Sequence, residues 1–218
     1  MYSLAEENYI KAIFHLQQKK TGAVSTNAIA ERMETKASST TDMVQKLADK
    51  KVLSYVKYKG AQLTQEGRKA ATTIIRKHRL WEVFLVDKLK FHWDEVHEIA
   101  EQLEHIHSAE LIKRLDTFLG NPAFDPHGDP IPDEHGNFIK TEKKLLSQLK
   151  KSQFGVCVGV KESSPEYLQY LDKKKISIGT KINVLGKEFF DGSMVIEVRR
   201  ENFFISKKIA ENLYVQTQ

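Results

Sequence analysis

The stretch "TNAIAERMETKASSTTDMVQKLADKKVLSYVKYKGAQLT", residues 26–64, contains two helix patterns followed by a hairpin pattern. Apolar residues recur at helical spacing in "TNAIAERME" and in "TTDMVQKLADKKV", with a polar break between them. Ser25 is a suitable N-cap for the first of these helices. The segment "LSYVKYKGAQLT" alternates as a strand does and turns at Lys59-Gly60. Because another helix pattern covers residues 4–19, this order predicts a winged helix-turn-helix.

The charges of the first part of the chain indicate a polyanionic partner. Residues 1–90 carry 17 basic and 9 acidic side chains. In a winged helix-turn-helix the third helix enters the major groove of DNA, and small hydroxyl side chains at its N-terminus suit phosphates and base edges. Taken singly, each of these residues also fits a helix cap or a solvated surface. Together they predict exposed DNA contacts at Lys36, Ser38, Ser39, Thr40, Thr41, Gln45 and Lys46, and on the wing at Lys57 and Lys59.

Three further helix patterns follow the wing. The first begins at Thr64 and runs through "QEGRKAATTIIRKHRLWEVFLVDKL", and the second begins near Trp93-Asp94. The third, "SAELIKRLDTFLG", ends at Gly120, and its apolar stripe fits either a core or a dimer face. Residues 120–138 hold four of the five prolines, which predicts an irregular loop.

The last part of the chain has the pattern of a small β-barrel. Short strand patterns, "FGVCVGV", "TKINVLGKEF" and "SMVIEVRR", begin at Phe154, with a small helix at Pro165–Leu171. Cys157 lies in an alternating strand and is expected to be buried and inert. The predicted fold class is therefore mainly α with small β parts. The predicted domains are a winged helix-turn-helix at 1–63, a helical domain at 64–140, a linker at 141–153 and an SH3-like β-barrel at 154–218.

An acidic segment holds most of the histidines. Residues 91–140 carry 3 basic and 11 acidic side chains and six of the eight histidines. Helical spacing within "HEIAEQLEHIH" (97–107) places a polar series on one face: His97, Glu101, Glu104 and His105. The preceding helix offers His78 and Glu82, four residues apart. A lone histidine or glutamate is usually solvated, but six of them on two neighbouring helices predict a site for Mn²⁺, Fe²⁺, Co²⁺ or Zn²⁺.

Motifs of metal-dependent enzymes are incomplete in this segment. A zinc peptidase needs H-E-x-x-H, and "HEIAE" has Glu101 in place of the second histidine. A di-iron bundle needs two Glu-x-x-His motifs, whereas Glu104 and His107 supply one. We therefore predict that the protein is not an enzyme.

The composition favours a soluble cytoplasmic protein. A single cysteine cannot form an internal disulfide, so an oxidising compartment is not required. The start of the chain has no basic leader before an apolar run, and no stretch approaches the ~18 apolar residues of a membrane span.

These residues also carry a family resemblance. The chain resembles the diphtheria toxin repressor and manganese transport regulator family of metal-activated transcriptional repressors. The most specific stretches are "RKHRLWEVFL" (76–85), "VHEIAEQLEH" (96–105) and "DPHGDPIP" (125–132). The resemblance implies a winged helix, a helical metal-binding and dimerisation domain and an SH3-like domain. It also implies a homodimer that binds a palindromic operator in double-stranded DNA and represses metal-uptake genes when Mn²⁺ or Fe²⁺ is bound.

The resemblance further implies two sets of metal ligands. By similarity, His78, Glu82 and His97 form an ancillary site, and Glu101, Glu104 and His105 belong to the site that activates DNA binding. Further candidate ligands are Asp125 and His127 in the loop and Glu162 in the SH3-like domain.

The first helix departs from the family pattern. The position of the first-helix ligand reads Asn8, with Glu6 and Glu7 beside it, and the second acid of manganese-specific members reads Lys11. Three alternatives therefore stay open. Asn8 binds through its carbonyl, a neighbouring glutamate substitutes for it, or Asp125 and His127 supply the charge. Oxygen and nitrogen ligands without sulfur favour Mn²⁺ over Fe²⁺.

A rival function uses the same histidines and glutamates. A metal-storage or metal-dependent hydrolytic protein would need this polar series but not a winged helix. The helix-turn-helix pattern therefore favours a DNA-binding regulator over either alternative.

Overall fold

The computed structural model describes residues 2–19 and 22–217 of the chain. It divides into two compact units. The first unit takes in the chain up to Arg79 together with Glu101–Lys113 and Pro132–Phe138. The second consists of Leu80–Ala100, Arg114–Ile131 and the chain from Ile139 onward.

Helices dominate the first two thirds of the chain, and strands dominate the last third. The helices are α1 (Leu4–Lys19), α2 (Thr26–Arg32), α3 (Ala37–Asp49), α4 (Gln65–Asp87), α5 (Val96–Leu103), α6 (Ala109–Phe118), α7 (Pro165–Lys173) and α8 (Lys207–Ala210). The strands are β1 (Leu53–Val56), β2 (Gly60–Leu63), β3 (Lys144–Leu145), β4 (Phe154–Val160), β5 (Lys181–Lys187), β6 (Met194–Val198), β7 (Glu201–Ile205) and β8 (Leu213–Gln216). The predicted fold class, mainly α with small β parts, is confirmed.

The winged helix-turn-helix of the first unit forms as the sequence predicts. Ser25 caps α2, because its side chain accepts a hydrogen bond from the backbone N–H of Ala28. Strands β1 and β2 pair antiparallel as the wing. Gly60 begins β2 at φ 102°, and a Cβ there would lie 2.4 Å from the carbonyl oxygen of Val24, so this turn requires glycine. The core beneath is apolar and fully buried at Ile10, Ile13, Ile29, Val44 and Leu47.

A buried glutamate joins α1 to α3. The Glu6 side chain is 1% exposed, and its Oε1 lies 2.7 Å from Lys50 Nζ and 3.1 Å from Lys46 Nζ. Burial raises the pKa of Glu6, but hydrogen bonds from Lys50, the Ser3 backbone and Lys46 outweigh it and lower the pKa to about 2. The carboxylate is therefore ionised at neutral pH and holds the two helices together.

One residue that the sequence predicts to be an exposed DNA contact is buried in the structure. Thr40 was expected on the exposed start of α3, but its side chain is completely buried and its Oγ1 lies 3.4 Å from the Tyr9 hydroxyl. The reason is helical periodicity. Thr40, Val44 and Leu47 follow one another at spacings of four and three, so they share the face that packs into the core.

The second unit contains an antiparallel six-stranded sheet in the order β3-β8-β4-β5-β6-β7. Strand β3 lies within residues 141–153, which the sequence assigned to a linker, and β7 and β8 were not predicted as strands. Cys157 is completely buried in β4, and burial raises its thiol pKa to about 11, as expected of an inert cysteine.

Helix α5 is shorter than the sequence indicates. It begins at Val96 and ends at Leu103, so Glu104 and His105 lie in the turn beyond it. The predicted single helical face for residues 97–105 is therefore wrong at its C-terminal end.

Among the described residues, no helix has the length and hydropathy needed to span a bilayer.

We predict that Glu6→Gln lowers the free energy of unfolding by about 1–3 kcal/mol at pH 7, because it removes hydrogen bonds to two charged partners. A group whose folded pKa is lowered stabilises the fold above its ordinary pKa and loses that effect as the pH falls through its folded value. The difference between wild type and variant should therefore shrink between pH 4.5 and about 2. Urea titrations over this pH range measure it.

The matched control is Glu31→Gln on α2, where the glutamate is exposed. It should leave the unfolding free energy within about 0.5 kcal/mol of wild type. Equal stabilities of wild type and Glu6→Gln at pH 7 would contradict the role given to this carboxylate.

Candidate metal centre

Three buried donors meet in the second unit. Glu82, Asp125 and His127 each offer a ligand atom, and these atoms lie within 4.8 Å of one another. Their exposed fractions are 2%, 7% and 5%. Buried ionisable groups gathered without apolar separation are unfavourable unless charges compensate one another, so the cluster fits a cation.

His127 has the orientation of a metal-binding imidazole. Its Nε2 lies 2.7 Å from the carbonyl oxygen of Trp93, and its Nδ1 lies 3.7 Å from Glu82 Oε1. The imidazole therefore donates its Nε2–H to the carbonyl and presents Nδ1 to the carboxylate. Metal-bound histidines are held in this way, with the second ring nitrogen donating to a carbonyl or carboxylate.

The cluster binds a proton at His127 in the absence of a metal. Burial lowers the pKa of His127, but the contact with Glu82 and the charges of Glu82 and Asp125 outweigh it and raise the pKa to about 9. The imidazolium then balances the two carboxylates. A divalent cation at Nδ1 would replace this proton, since the same nitrogen cannot hold both.

A fourth donor lies at the exposed side of the cluster. His97 Nδ1 lies 3.4 Å from Glu82 Oε1, and its side chain is 47% exposed. Two imidazoles and two carboxylates form a borderline-to-hard ligand set, which suits Mn²⁺, Fe²⁺, Co²⁺ and Zn²⁺. The residues present therefore fit a divalent transition metal.

The loop that carries Asp125 and His127 is rigidly built. Asp125 Oδ1 accepts hydrogen bonds from the backbone N–H groups of His127 and Asp129, both at 2.9 Å. Gly128 follows at φ 82°, where a Cβ would lie 2.1 Å from the carbonyl oxygen of Val158 in β4. This close approach requires glycine, and it fixes the loop against the sheet.

A second cluster lies in the first unit and includes a lysine. His78 Nδ1 lies 2.6 Å from Glu104 Oε2, and Lys11 Nζ lies 2.7 Å from the same oxygen. Burial raises the pKa of Glu104, but the hydrogen bond with His78 and the charge of Lys11 outweigh it and hold the pKa below its usual value. Glu104 Oε1 is buried and has no hydrogen-bond partner within residues 2–19 and 22–217.

Glu7, rather than Asn8, is the acidic contact from the first helix. Glu7 Oε2 accepts a hydrogen bond from His105 Nδ1 at 2.6 Å, and its Oε1 lies 3.8 Å from His107 Nδ1 and from Lys77 Nζ. Asn8 is half-buried. Of the three alternatives for the missing ligand, this contact favours a neighbouring glutamate.

The remaining predicted ligands are placed as follows. Glu101 is half-exposed and its Oε1 lies 3.6 Å from Lys11 Nζ. Glu162 is exposed and accepts a hydrogen bond from the Ser164 hydroxyl at 2.6 Å, outside both clusters. The ancillary set of His78, Glu82 and His97 draws on residues of both units and stays a prediction, as does every ligand role named above.

The sequence did not indicate that Lys11 and Lys77 lie beside the buried glutamates, or that the carbonyl oxygen of Trp93 contacts His127. Lys11 was noted only as the replacement of an acid, and Lys77 is 6% exposed beside Glu7. The carbonyl of Trp93 has no signature in the sequence. His107, considered in the sequence only as part of an incomplete Glu-x-x-His motif, lies beside Glu7.

Three family models match the chain along its length. Residues 1–61 match the N-terminal DNA binding domain of iron dependent repressors, and residues 64–133 match their metal binding and dimerisation domain. Residues 144–217 match the FeoA domain.

Solved structures resemble the chain over nearly all of its length. A manganese-dependent transcriptional repressor in complex with manganese is 32% identical, with a TM-score of 0.86, covering 98% of this chain and 100% of that one. The chain belongs to the diphtheria toxin repressor family. ScaR with bound Cd²⁺ is 31% identical, with a TM-score of 0.80, covering 98% and 99% of the two chains.

Relatives in this family include the iron-dependent repressor IdeR of Mycobacterium leprae, which is 34% identical over 126 residues. That match covers 58% of this chain and 54% of IdeR, so it spans about half the length of the relative. Members of the diphtheria toxin repressor family are DNA-binding regulators and not enzymes, in agreement with the incomplete enzyme motifs.

We predict that Mn²⁺ binding at the Glu82, Asp125 and His127 cluster releases close to one proton per ion at pH 7. The reason is that the pKa of His127 is about 9 in the metal-free protein. Affinity should fall by about tenfold for each pH unit below 9. Calorimetry in buffers of different ionisation enthalpy measures the released proton.

His135→Gln serves as the control, because the His135 side chain is 75% exposed and lies beside Glu134. It should leave proton release unchanged, whereas His127→Gln should abolish it. An affinity that does not vary between pH 7 and 9 would refute the assignment of His127 Nδ1 as the atom that exchanges its proton.

Proposed function

We propose that this protein is a metal-dependent transcriptional repressor of metal-uptake genes. It binds double-stranded DNA as a homodimer, acts in the cytoplasm and responds to Mn²⁺ or Fe²⁺. The observation that carries the proposal is the combination of a winged helix-turn-helix with a buried Glu82, Asp125 and His127 cluster in one chain. Similar proteins are named as manganese-dependent and iron-dependent repressors, which supports the proposal.

The ligand atoms favour manganese or iron over softer metals. The cluster of the second unit offers carboxylate oxygens and imidazole nitrogens, and the single cysteine is buried in β4, in the sheet of that unit. Such ligands accept Mn²⁺ and Fe²⁺ and also bind Co²⁺ or Zn²⁺, whose inherent affinities are higher. Cellular supply therefore takes part in choosing the metal.

The DNA-binding surface is proposed on the exposed face of α3 and on the wing. The side chains available to solvent are Lys36, Ser38, Ser39, Gln45, Lys46, Lys57 and Lys59, while Thr41 is half-buried and donates its hydroxyl to the carbonyl of Ala37. Lysines suit phosphates, and Ser38, Ser39 and Gln45 can also contact base edges. A two-fold dimer carrying two such surfaces would bind a palindromic operator.

Helix α1 is the element through which the first unit would respond. Glu6 joins α1 to Lys46 of α3 and to Lys50, the C-cap of that helix, and the next residue, Glu7, joins α1 to His105. Adjacent residues on one helix move together, so a rearrangement of ligands around Glu104 and His105 would reorient α1 and with it α3. A bound divalent ion supplies the charge that draws carboxylates and imidazoles together.

Storage or hydrolysis of a substrate is less favoured as a function. Neither activity requires a winged helix, and the family to which the chain belongs consists of DNA-binding regulators. A storage protein would load metal without affinity for DNA.

We predict that the affinity for operator DNA is at least about fivefold higher in saturating Mn²⁺ or Fe²⁺ than in EDTA. Fivefold is the lower end of the usual range of allosteric coupling. Fluorescence anisotropy with DNA from upstream of metal-transporter genes measures it.

Glu104→Gln should abolish the metal response with helix content unchanged, because it removes a buried carboxylate of the first unit. Glu134→Gln, at a 79% exposed side chain, is the matched control and should respond as wild type does. Equal affinity in EDTA and in saturating metal would refute metal activation.

We predict that Lys36→Ala and Lys59→Ala each reduce the slope of log affinity against log salt concentration by about 1, since each removes one phosphate contact. Lys151→Ala, at an exposed lysine beyond the wing, should leave the slope unchanged. Titrations between about 50 and 200 mM salt resolve this difference. If the slope is unaltered in Lys36→Ala or in Lys59→Ala, the lysine replaced in that variant does not contact DNA.

A further inference from the structure

The Lys11 ammonium lies inside the acidic cluster of the first unit. Its Nζ is 2.7 Å from Glu104 Oε2, 3.3 Å from His78 Nδ1 and 3.6 Å from Glu101 Oε1. The lysine side chain is 13% exposed and that of Glu104 is 1% exposed. Three candidate metal ligands therefore surround one positive group that belongs to the protein itself.

The ammonium and a metal ion would compete for the same oxygen. Glu104 Oε2 accepts a charge-assisted hydrogen bond from Lys11. A divalent ion bound to this oxygen would lie within about 4 Å of the ammonium, where two positive charges repel each other strongly in a buried environment. The ion can therefore bind Glu104 only if Lys11 withdraws.

The other oxygen of this carboxylate shows that the lysine does not complete the site. Glu104 Oε1 is buried and has no hydrogen-bond partner in the described part of the chain, and His105 Nε2 lies 3.9 Å from it. A buried carboxylate oxygen without a donor is unfavourable. A cation with higher charge and more coordination positions would satisfy both oxygens.

Withdrawal of Lys11 is physically available. Lysine carries its charge on a flexible four-carbon stem, which can lie along the protein surface while the ammonium reaches water. The Lys11 side chain is 13% exposed, so part of it already reaches solvent from its position on α1. Its departure loses the hydrogen bond to Glu104, and the incoming ion must offset that loss.

We propose that Lys11 is a built-in competitor for the metal ion at Glu104, and that it raises the metal concentration at which the first unit binds an ion. The cluster of Glu82, Asp125 and His127 then fills first. Because the resemblance assigns Glu104 to activation, Lys11 sets the metal level at which DNA binding begins. The inference rests on the proposed function in that the chain binds Mn²⁺ or Fe²⁺.

A titration with Mn²⁺ alone, followed by the electron paramagnetic resonance signal of the free ion, tests the proposal. Wild type should show a tighter and a weaker site on each chain. In Lys11→Gln the weaker site should tighten by about tenfold or more, which corresponds to the loss of a competing charge-assisted hydrogen bond. The tighter site should stay unchanged.

Two lysine variants are the controls. Lys11→Arg keeps a positive charge at the same position and should retain a weak second site. Lys19→Gln removes an exposed lysine of the same helix, outside the cluster, and should behave as wild type does. Circular dichroism in EDTA establishes that each variant is folded before the titration.

Two ligand variants assign the sites. Glu104→Gln should remove the weaker site, both alone and together with Lys11→Gln, whereas Asp125→Asn should weaken only the tighter one. The proposal is overturned if the weaker site has the same affinity in wild type and Lys11→Gln, or if it survives Glu104→Gln. The titration contains no DNA, so its result is independent of operator binding, by which the proposed function is judged.

Discussion

Buried carboxylates need positive partners, and the arrangement of this chain follows from that requirement. Within the described residues, five acidic side chains are buried: Glu6, Glu7, Glu82, Glu104 and Asp125. An isolated ionised carboxylate in an apolar interior is strongly unfavourable, so each must meet lysine, imidazole, backbone N–H groups or a metal ion. Glu6 pairs with lysines. Glu7 and Glu104 each lie beside a lysine and histidines, and Glu82 lies beside the imidazolium of His127.

The two clusters balance their charge by different means, and this difference bears on function. At Glu82 and Asp125 the positive charge is a proton on His127, which a metal ion can replace directly at the same nitrogen. At Glu104 the charge is a lysine ammonium, which has to move its whole side chain away. Under the proposal for Lys11, an exchangeable proton and a tethered ammonium give the two clusters different metal affinities without any difference in the type of ligand atom.

Sequence patterns were sufficient for the helices, the wing and the family, because these depend on local periodicity and on short motifs. They failed where tertiary packing decided the outcome. Thr40 was expected at the DNA surface, but it shares a helical face with Val44 and Leu47 and is buried. Helix α5 ends at Leu103, so Glu104 and His105 reach their partners from a turn and not from the helical face that their spacing suggested. Strands β7 and β8 were missed.

The sequence by itself determined which residue types are present for metal and DNA: histidines and acids in the middle segment, and lysines and hydroxyls around the third helix. Their spacing along the chain also identified the winged helix. Only the tertiary structure decided that Glu7 contacts His105, that the carbonyl of Trp93 orients His127, and that Lys11 lies against Glu104. The physical reason is that these pairs are separated by 34 to 98 residues, and only packing of the core brings such distant side chains together.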